Sequence, residues 1–226
     1  AFAADTADGG PGVVVGSPWP EDGKVYNAVI LLDEGRVQGV RYKVELPNYG
    51  VFDELRVFAV GPLPGPLGFR GLRLGLPICE DIWFEQVCEC LAETGAEILV
   101  VPNGSPYWQG KAEVRQQVAI ARVVETGLPM VYVNQCGGQD ELVFDGGSFG
   151  LHADRTLAFQ MAQFDEGIAT VTWTKDAALG WRCTDGQFAA LPGLEEANWR
   201  ACVLGLRDYV NKNGFPGVLL GLSGGV

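Results

Sequence analysis

Between residues 69 and 134, apolar runs alternate with amphipathic segments, and this alternation limits the fold more than any other feature of the chain. The predicted elements are, in order, a hairpin over 69–78 that ends at Cys79, helix 83–94, strand 97–101, helix 111–126 and strand 130–134. Glycines at 95 and 127 close the two helices. Because a strand–helix–strand crossover joins parallel strands, we predict an α/β fold with an at least partly parallel sheet.

Further strands are predicted on both sides of this unit. They span residues 13–16, 25–32, 36–42, 143–151 and 168–173, and residues 55–60 are predicted as a short extended piece. Residues 25–32 and 36–42 are joined by Asp33, Glu34 and Gly35, which indicates a hairpin. Between them and the crossover unit, the Pro, Asn and Gly of 46–54 predict a structured loop. In helix 111–126, the spacing of Val114, Val118, Ala121 and Val124 predicts the buried face.

Residues 174–226 differ in sequence pattern from the rest of the chain. Residues 174–192 lose periodicity and predict a linker, 195–212 predict a helix, and the apolar run 217–222 predicts a buried strand. A buried strand with no helix to cover it is an unfinished unit. We therefore expect the chain to be an internal piece of a longer protein.

Composition excludes several classes of function. The net charge of −12 among 226 residues argues against a nucleic-acid partner, which would require clustered Lys and Arg. No apolar run is long enough to cross a bilayer and no export signal is visible, so we expect no membrane partner and a cytoplasmic location. The spacing of the six cysteines predicts reduced thiols and no zinc site. The single histidine, His152, is predicted on a surface loop.

A thiol follows the last strand of the predicted hairpin 69–78, and ligands bind at strand ends in α/β proteins. Cys79 precedes Glu80 and Asp81 at the start of the next helical segment, so it can be a thiolate nucleophile, although a cysteine after an apolar run is more often an inert core residue. Lys43, after the first hairpin, could stabilise the thiolate and the oxyanion formed when it attacks a carbonyl. A general base is still lacking, because carboxylates next to the thiol disfavour its ionisation.

Several segments carry a family resemblance. They read YKVELPNYGVFDE, GLPICEDIW, VVPNGSPYWQGK and YVNQCGGQDELVFDGGSF. In this order they resemble the glutaminase domain of the glutamine-dependent NAD synthetases, a branch of the nitrilase superfamily, and LLGLSGGV resembles the opening of their synthetase domain. The resemblance implies an α/β fold: a nitrilase-like αββα sandwich over residues 1–174, a linker over 175–194, and the start of a Rossmann-like ATP-pyrophosphatase domain over 195–226.

The resemblance also implies roles for individual residues. Cys79 would attack the side-chain amide of glutamine, Lys43 would be the catalytic lysine, and Tyr49, Ser105 and Lys111 would hold the glutamine. The ATP-binding loop would begin with Gly221, Leu222, Ser223, Gly224, Gly225 and Val226. In the family, the released ammonia converts nicotinate adenine dinucleotide to NAD, with ATP and Mg²⁺, giving AMP and pyrophosphate. For the whole protein we expect a homo-oligomer, and for these residues alone no bound cofactor or metal.

One family feature is missing from this sequence. The family's general base is a glutamate well upstream of the lysine, and here only Glu21 and Glu34 precede Lys43, both in predicted turns. Loss of a positioned base costs roughly a hundredfold to ten-thousandfold in rate. We therefore expect these residues alone to have no NAD synthetase activity and little glutaminase activity.

Two other hypotheses remain open at this point. The chain could be a stand-alone nitrilase-type hydrolase of another amide, although such an enzyme has no use for residues 175–226. It could also be a non-catalytic scaffold that keeps the fold. Covalent capture at Cys79 by an electrophile that mimics glutamine would discriminate against the scaffold.

Overall fold

The structure, a computed structural model, describes residues 2–222 and 224. The strands are β1 (Val13–Glu21), β2 (Lys24–Asp33), β3 (Arg36–Tyr42), β4 (Leu67–Phe69), β5 (Leu72–Gly75), β6 (Ile98–Asn103), β7 (Met130–Asn134), β8 (Cys136–Gln139), β9 (Leu142–Asp145), β10 (Phe149–Leu151), β11 (Leu157–Gln160), β12 (Trp173–Asp176) and β13 (Gly180–Cys183). The α-helices are α1 (Glu85–Glu93), α2 (Lys111–Thr126) and α3 (Leu194–Lys212).

A mixed sheet of six strands forms the centre of the fold, in the order β11-β10-β7-β6-β5-β4. Strands β5, β6 and β7 are parallel, and α1 and α2 make the crossovers between them. The predicted crossover unit is therefore confirmed. The predicted hairpin of residues 25–32 and 36–42 is also confirmed, because β2 and β3 pair antiparallel in a second sheet of order β1-β2-β3.

Two apolar cores bind the layers together. Helices α1 and α2 pack on one face of the large sheet around Leu91, Leu99 and Val123, and the small sheet covers the other face through Val29 and Leu31. The arrangement is a mixed α/β fold with layers α, β and β. The third helix packs on the β8–β9 hairpin, so among residues 2–222 we find no second helical layer for the predicted αββα sandwich.

Several predicted strands differ from the observed ones. The first strand continues past residue 16 to Glu21, because Pro18 and Pro20 lie on β1 at the edge of its sheet, where a missing N–H is tolerated. The predicted strand 143–151 is divided into β9 and β10, since Gly146 and Gly147 have φ angles of +63° and +64°.

Two predicted segments form almost no strand, and short strands appear where none was predicted. The extended piece predicted at 55–60 forms no strand, because a 3-10 turn at Glu54–Arg56 is followed by irregular chain. The prediction for 168–173 is wrong except at Trp173, and Ile168 is 99% exposed. Strands β8 and β11 were not predicted; β8 is rich in glycine, and both strands are only four residues long.

The predicted burial of α2 and of His152 also needs correction. In α2, Val124 is 58% exposed, whereas Arg115 and Arg122 are buried on the inner face. The prediction that His152 lies at the surface is wrong, since only 8% of the residue is exposed. Its ring lies 3.0 Å from the hydroxyl of Thr156 (Nδ1 to Oγ1).

In the C-terminal part of the chain, one predicted element is confirmed and two predictions differ from the structure. The predicted helix 195–212 is observed as α3, but the predicted linker contains the β12–β13 hairpin. The predicted buried strand 217–222 is wrong: these residues form no strand, and the side chains of Leu219 and Leu220 are exposed. Residues 223, 225 and 226 lie outside the described part. Across the described residues, no helix combines the length and the apolar character needed to span a membrane.

Candidate active site

Cys79 lies just after β5, where the chain enters a short 3-10 helix, Cys79–Ile82. Its φ of +47° is in the left-handed region, which residues with a side chain seldom adopt and which occurs preferentially at functional sites. Burial raises the pKa of the thiol, against the lowering effects of the Lys43 ammonium and the Gly104 N–H. The free thiol is therefore protonated at neutral pH, and its attack on a carbonyl requires removal of that proton.

A buried carboxylate fixes this turn relative to Lys43. Asp81 accepts hydrogen bonds from the backbone N–H groups of Ile78 (2.9 Å), Val44 (3.0 Å) and Glu45 (2.8 Å). Burial raises the pKa of Asp81 to about 6. Because residues 44 and 45 directly follow Lys43, one side chain joins the two segments that carry the candidate catalytic groups.

Replacing this carboxylate should destabilise the fold. In Asp81→Ala, the three N–H groups lose their acceptor inside the protein, so we expect the free energy of unfolding to fall by about 2–4 kcal/mol, measured by urea denaturation. Asp81→Asn is the matched control, because it keeps one acceptor oxygen and should lose less. An Asp81→Ala variant as stable as the wild type would contradict this assignment.

Lys43 forms a buried ion pair that the sequence did not reveal. Its side chain is 1% exposed, and Nζ lies 2.6 Å from Glu54 Oε1. The amide of Asn27 donates to the other oxygen of Glu54 at 3.2 Å. The family's general base is expected upstream of Lys43, whereas Glu54 lies downstream, at the end of the LPNYGVFDE loop.

Two cavities meet at Cys79. One, of about 230 Å³, is lined by Tyr49, Cys79, Glu80, Trp83, Ser105, Trp108 and Lys111 among others. The second, of about 360 Å³, is lined by Lys43, Glu54, Cys79 and Asn103 among others. The structure thus brings Tyr49, Ser105 and Lys111 together with the thiol in one cavity and places Lys43 on the other side. A larger cavity of about 550 Å³ beside β11 has neither a thiol nor a charged side chain in its lining.

The first cavity carries opposite charges near the thiol. The hydroxyl of Tyr49 donates to Glu80 Oε1 at 2.6 Å, and the Glu80 side chain is buried. The ammonium of Lys111 lies 4.2 Å from the ring centre of Trp83 and 5.0 Å from that of Trp108. Burial lowers the pKa of Lys111 and raises that of Tyr49. From the sequence, Glu80 is expected only to disfavour the thiolate, yet its place in one cavity with the Lys111 ammonium suits a zwitterionic ligand.

The predicted ATP-binding residues are not brought into either cavity at Cys79. Gly221, Leu222 and Gly224 are exposed, and Ser223, Gly225 and Val226 lie outside the described residues. Within residues 2–222 and 224, no group of three or more His, Cys, Asp or Glu side chains is placed to hold a metal ion.

Known proteins are similar to this chain over most or all of its length. The chain is 47% identical over 226 residues to the glutamine-dependent NAD(+) synthetase of Rhodobacter capsulatus, a match that includes 100% of the chain and 41% of that relative. The related synthetase of Xanthomonas campestris is 42% identical over 218 residues, 94% of this chain and 39% of the relative. The chain therefore spans about two fifths of the length of these curated relatives.

Solved structures of a synthetase and of an amidase are also similar to this chain. The glutamine-dependent NAD+ synthetase of Acinetobacter baumannii, in complex with ADP, is 36% identical, with a TM-score of 0.89 over 98% of this chain and 41% of that one. An amidase from Nesterenkonia is 29% identical, with a TM-score of 0.64 over 74% of this chain and 62% of that one. The carbon-nitrogen hydrolase family matches residues 1–182. With most of its length matched in this way, the chain belongs to the carbon-nitrogen hydrolase family.

Proposed function

We propose that this chain is the glutamine-hydrolysing part of a glutamine-dependent NAD synthetase. The observation that carries the proposal is the cavity in which the Cys79 thiol lies with the Glu80 carboxylate and the Lys111 ammonium. Glutamine has a carboxamide at one end and an α-ammonium with an α-carboxylate at the other. A site with a nucleophile and two opposite charges is complementary to both ends.

In the proposed reaction, the sulfur of Cys79 attacks the carboxamide carbon. The Lys43 ammonium and the Gly104 N–H, which both act on this thiol, stabilise the negative charge that develops. The thiol proton passes to the leaving nitrogen through the Lys43–Glu54 pair, and Glu54 also holds Lys43 in place. Ammonia departs, and water hydrolyses the thioester to release glutamate.

Recognition of the amino-acid end falls to three side chains. Glu80, oriented by Tyr49, binds the α-ammonium, and Lys111 binds the α-carboxylate. The rings of Trp83 and Trp108 flank the Lys111 ammonium and hold it in the cavity by cation–π attraction. This arrangement selects glutamine over amides that lack the charged end.

Substitutions at these charges should weaken binding without damaging the thiol. In Glu80→Gln and in Lys111→Met, we expect half-maximal labelling of Cys79 by a diazoketone analogue of glutamine to require at least about tenfold more reagent, because each loses one charge contact. Alkylation by iodoacetamide should slow by less than about threefold, because that reagent has no charged end to bind and loss of the Glu80 carboxylate favours the thiolate. Mass spectrometry of the Cys79 peptide measures both rates. An equal loss of Cys79 labelling with the two reagents would argue against substrate recognition by these residues.

A second candidate is an amidase for small neutral amides, favoured by the likeness to the Nesterenkonia amidase, one structure of which shows acrylamide added at the active-site cysteine. Such a substrate would make no use of Glu80 and Lys111. Protection of Cys79 from iodoacetamide separates the two candidates. Protection by glutamine at concentrations where propionamide has no effect supports the glutaminase, and equal protection by both supports the amidase.

The rest of the proposed reaction belongs to a polypeptide of the relatives' length. There the ammonia would amidate nicotinate adenine dinucleotide to NAD with ATP and Mg²⁺, in a homo-oligomer in the cytoplasm. Residues 1–174, 175–194 and 195–226 would be the glutaminase domain, the linker and the start of the synthetase domain, and Gly221–Val226 would begin the ATP loop. The described part of this loop is exposed and the described residues offer no metal cluster, so these residues alone do not form a site for ATP or Mg²⁺.

A further inference from the structure

Beneath the Ser105 wall of the first cavity lies a buried arginine that the proposed reaction does not use. Arg115, in the second turn of α2, is 3% exposed. Its Nε donates to Ser105 Oγ at 3.1 Å, and its Nη2 donates to the backbone oxygens of Ser105 at 2.7 Å and Pro106 at 3.1 Å. Three hydrogen bonds from one guanidinium therefore end on the segment that lines the cavity beside Cys79.

Asp145, at the end of β9, holds the same guanidinium from the other side. The carboxylate is fully buried and accepts from Arg115 Nη1 at 2.8 Å and from Gln163 Nε2 at 2.7 Å. Such a buried pair adds little net stability, because the desolvation of both charges offsets their attraction. The planar guanidinium of Arg115, however, holds several acceptors in one geometry, which a lysine ammonium cannot do.

The supported segment affects two parts of the site at once. Gly104 lines the second cavity together with Cys79, and the next residue, Ser105, lines the first cavity. Asn134 holds the backbone of Ser105 through hydrogen bonds of 2.9 Å and 3.1 Å. It does not reach the Ser105 hydroxyl or the Pro106 carbonyl in these bonds, and Arg115 supplies the donors for both.

We propose that Arg115, held by Asp145, is a positioning residue that sets the place of the Ser105–Pro106 wall relative to Cys79 and so the fit of the substrate's side chain. This inference rests on the proposed function, in which the cavity takes glutamine. Arg115 touches no reacting atom and acts through Ser105 and Pro106.

The test compares two reagents on one variant. Arg115→Lys keeps a positive charge beside Asp145, but a single ammonium cannot reach all the acceptors of the guanidinium. We expect labelling of Cys79 by the diazoketone analogue of glutamine to slow by about tenfold to a hundredfold, the range expected for a wall misplaced by about 1 Å. Alkylation of Cys79 by iodoacetamide should change by less than about threefold, since that reagent needs only the thiol.

Arg122→Lys is the matched control on the same helix. Arg122 is also buried, but it bonds to Glu125 at 2.7 Å instead of to residues 105 and 106, so neither rate should change. A lower melting temperature of Arg115→Lys with an unchanged ratio of the two rates would overturn the proposal in favour of a purely structural role. If Arg115→Lys does not fold, Asp145→Asn, which has the same shape, must lower the ratio in the same direction or the proposal fails. Absence of diazoketone labelling in the wild type would instead overturn the proposed function.

Discussion

The Cys79→Ala variant will not be labelled by the diazoketone analogue of glutamine, and its labelling rate will fall at least about a thousandfold, to background, as expected when a nucleophile is removed. The wild type will carry one label, on the peptide that contains Cys79. The reason is geometric, because Cys79 is the thiol that lines the cavity together with Glu80 and Lys111. Intact-mass and peptide mass spectrometry measure both results.

The matched control is Cys202→Ala. Cys202 is an exposed free thiol on α3, so a reagent without specificity would modify it first. We expect Cys202→Ala to be labelled by the diazoketone at the wild-type rate. Labelling of Cys79→Ala at the wild-type rate would show that another group reacts and would remove the basis of the proposed mechanism.

Lys43→Met has the second largest expected effect. It removes the ammonium that counteracts the effect of burial on Cys79, so the pKa of the thiol rises further above its ordinary value. We expect acylation to slow by about a hundredfold to ten-thousandfold, the usual contribution of a positioned proton-transfer or charge-stabilising group. The pH of half-maximal alkylation by iodoacetamide should also move upward.

A double variant separates charge stabilisation from folding. Lys43→Met leaves Glu54 without its partner, which should lower the free energy of unfolding by about 3 kcal/mol, the cost of breaking a buried pair. Lys43→Met with Glu54→Gln removes that uncompensated charge and should regain most of the stability while remaining slow in acylation. Recovery of both stability and rate would show that Lys43 acts only through the fold.

The crossover unit could be predicted from the sequence because its signals are local. The bounds of α2 and β7 follow directly from apolar periodicity, and the left-handed conformation of Gly127 ends α2 as expected. The predictions failed where tertiary contacts override the local pattern. The β1 strand tolerates its prolines only because it lies at a sheet edge, which no local pattern reveals.

The candidate site was predictable in part for a related reason. Cys79 and Lys43 follow strands, so their place at the ends of those strands could be inferred from spacing. Glu54, Glu80 and Arg115 were not found, because a charged residue in a sequence is ordinarily interpreted as solvated. Each of them is ordered here by a partner distant in sequence, and such pairing has no period along the chain.

The most direct test of the account is to mix the wild-type chain with glutamine, quench the reaction rapidly and determine the mass of the Cys79 peptide. The account predicts an added γ-glutamyl group on Cys79, and its release as γ-glutamyl hydroxamate when hydroxylamine is present. Formation of the adduct requires a single acylation and not sustained turnover. A folded chain in which neither glutamine nor its diazoketone analogue modifies Cys79 would contradict the account.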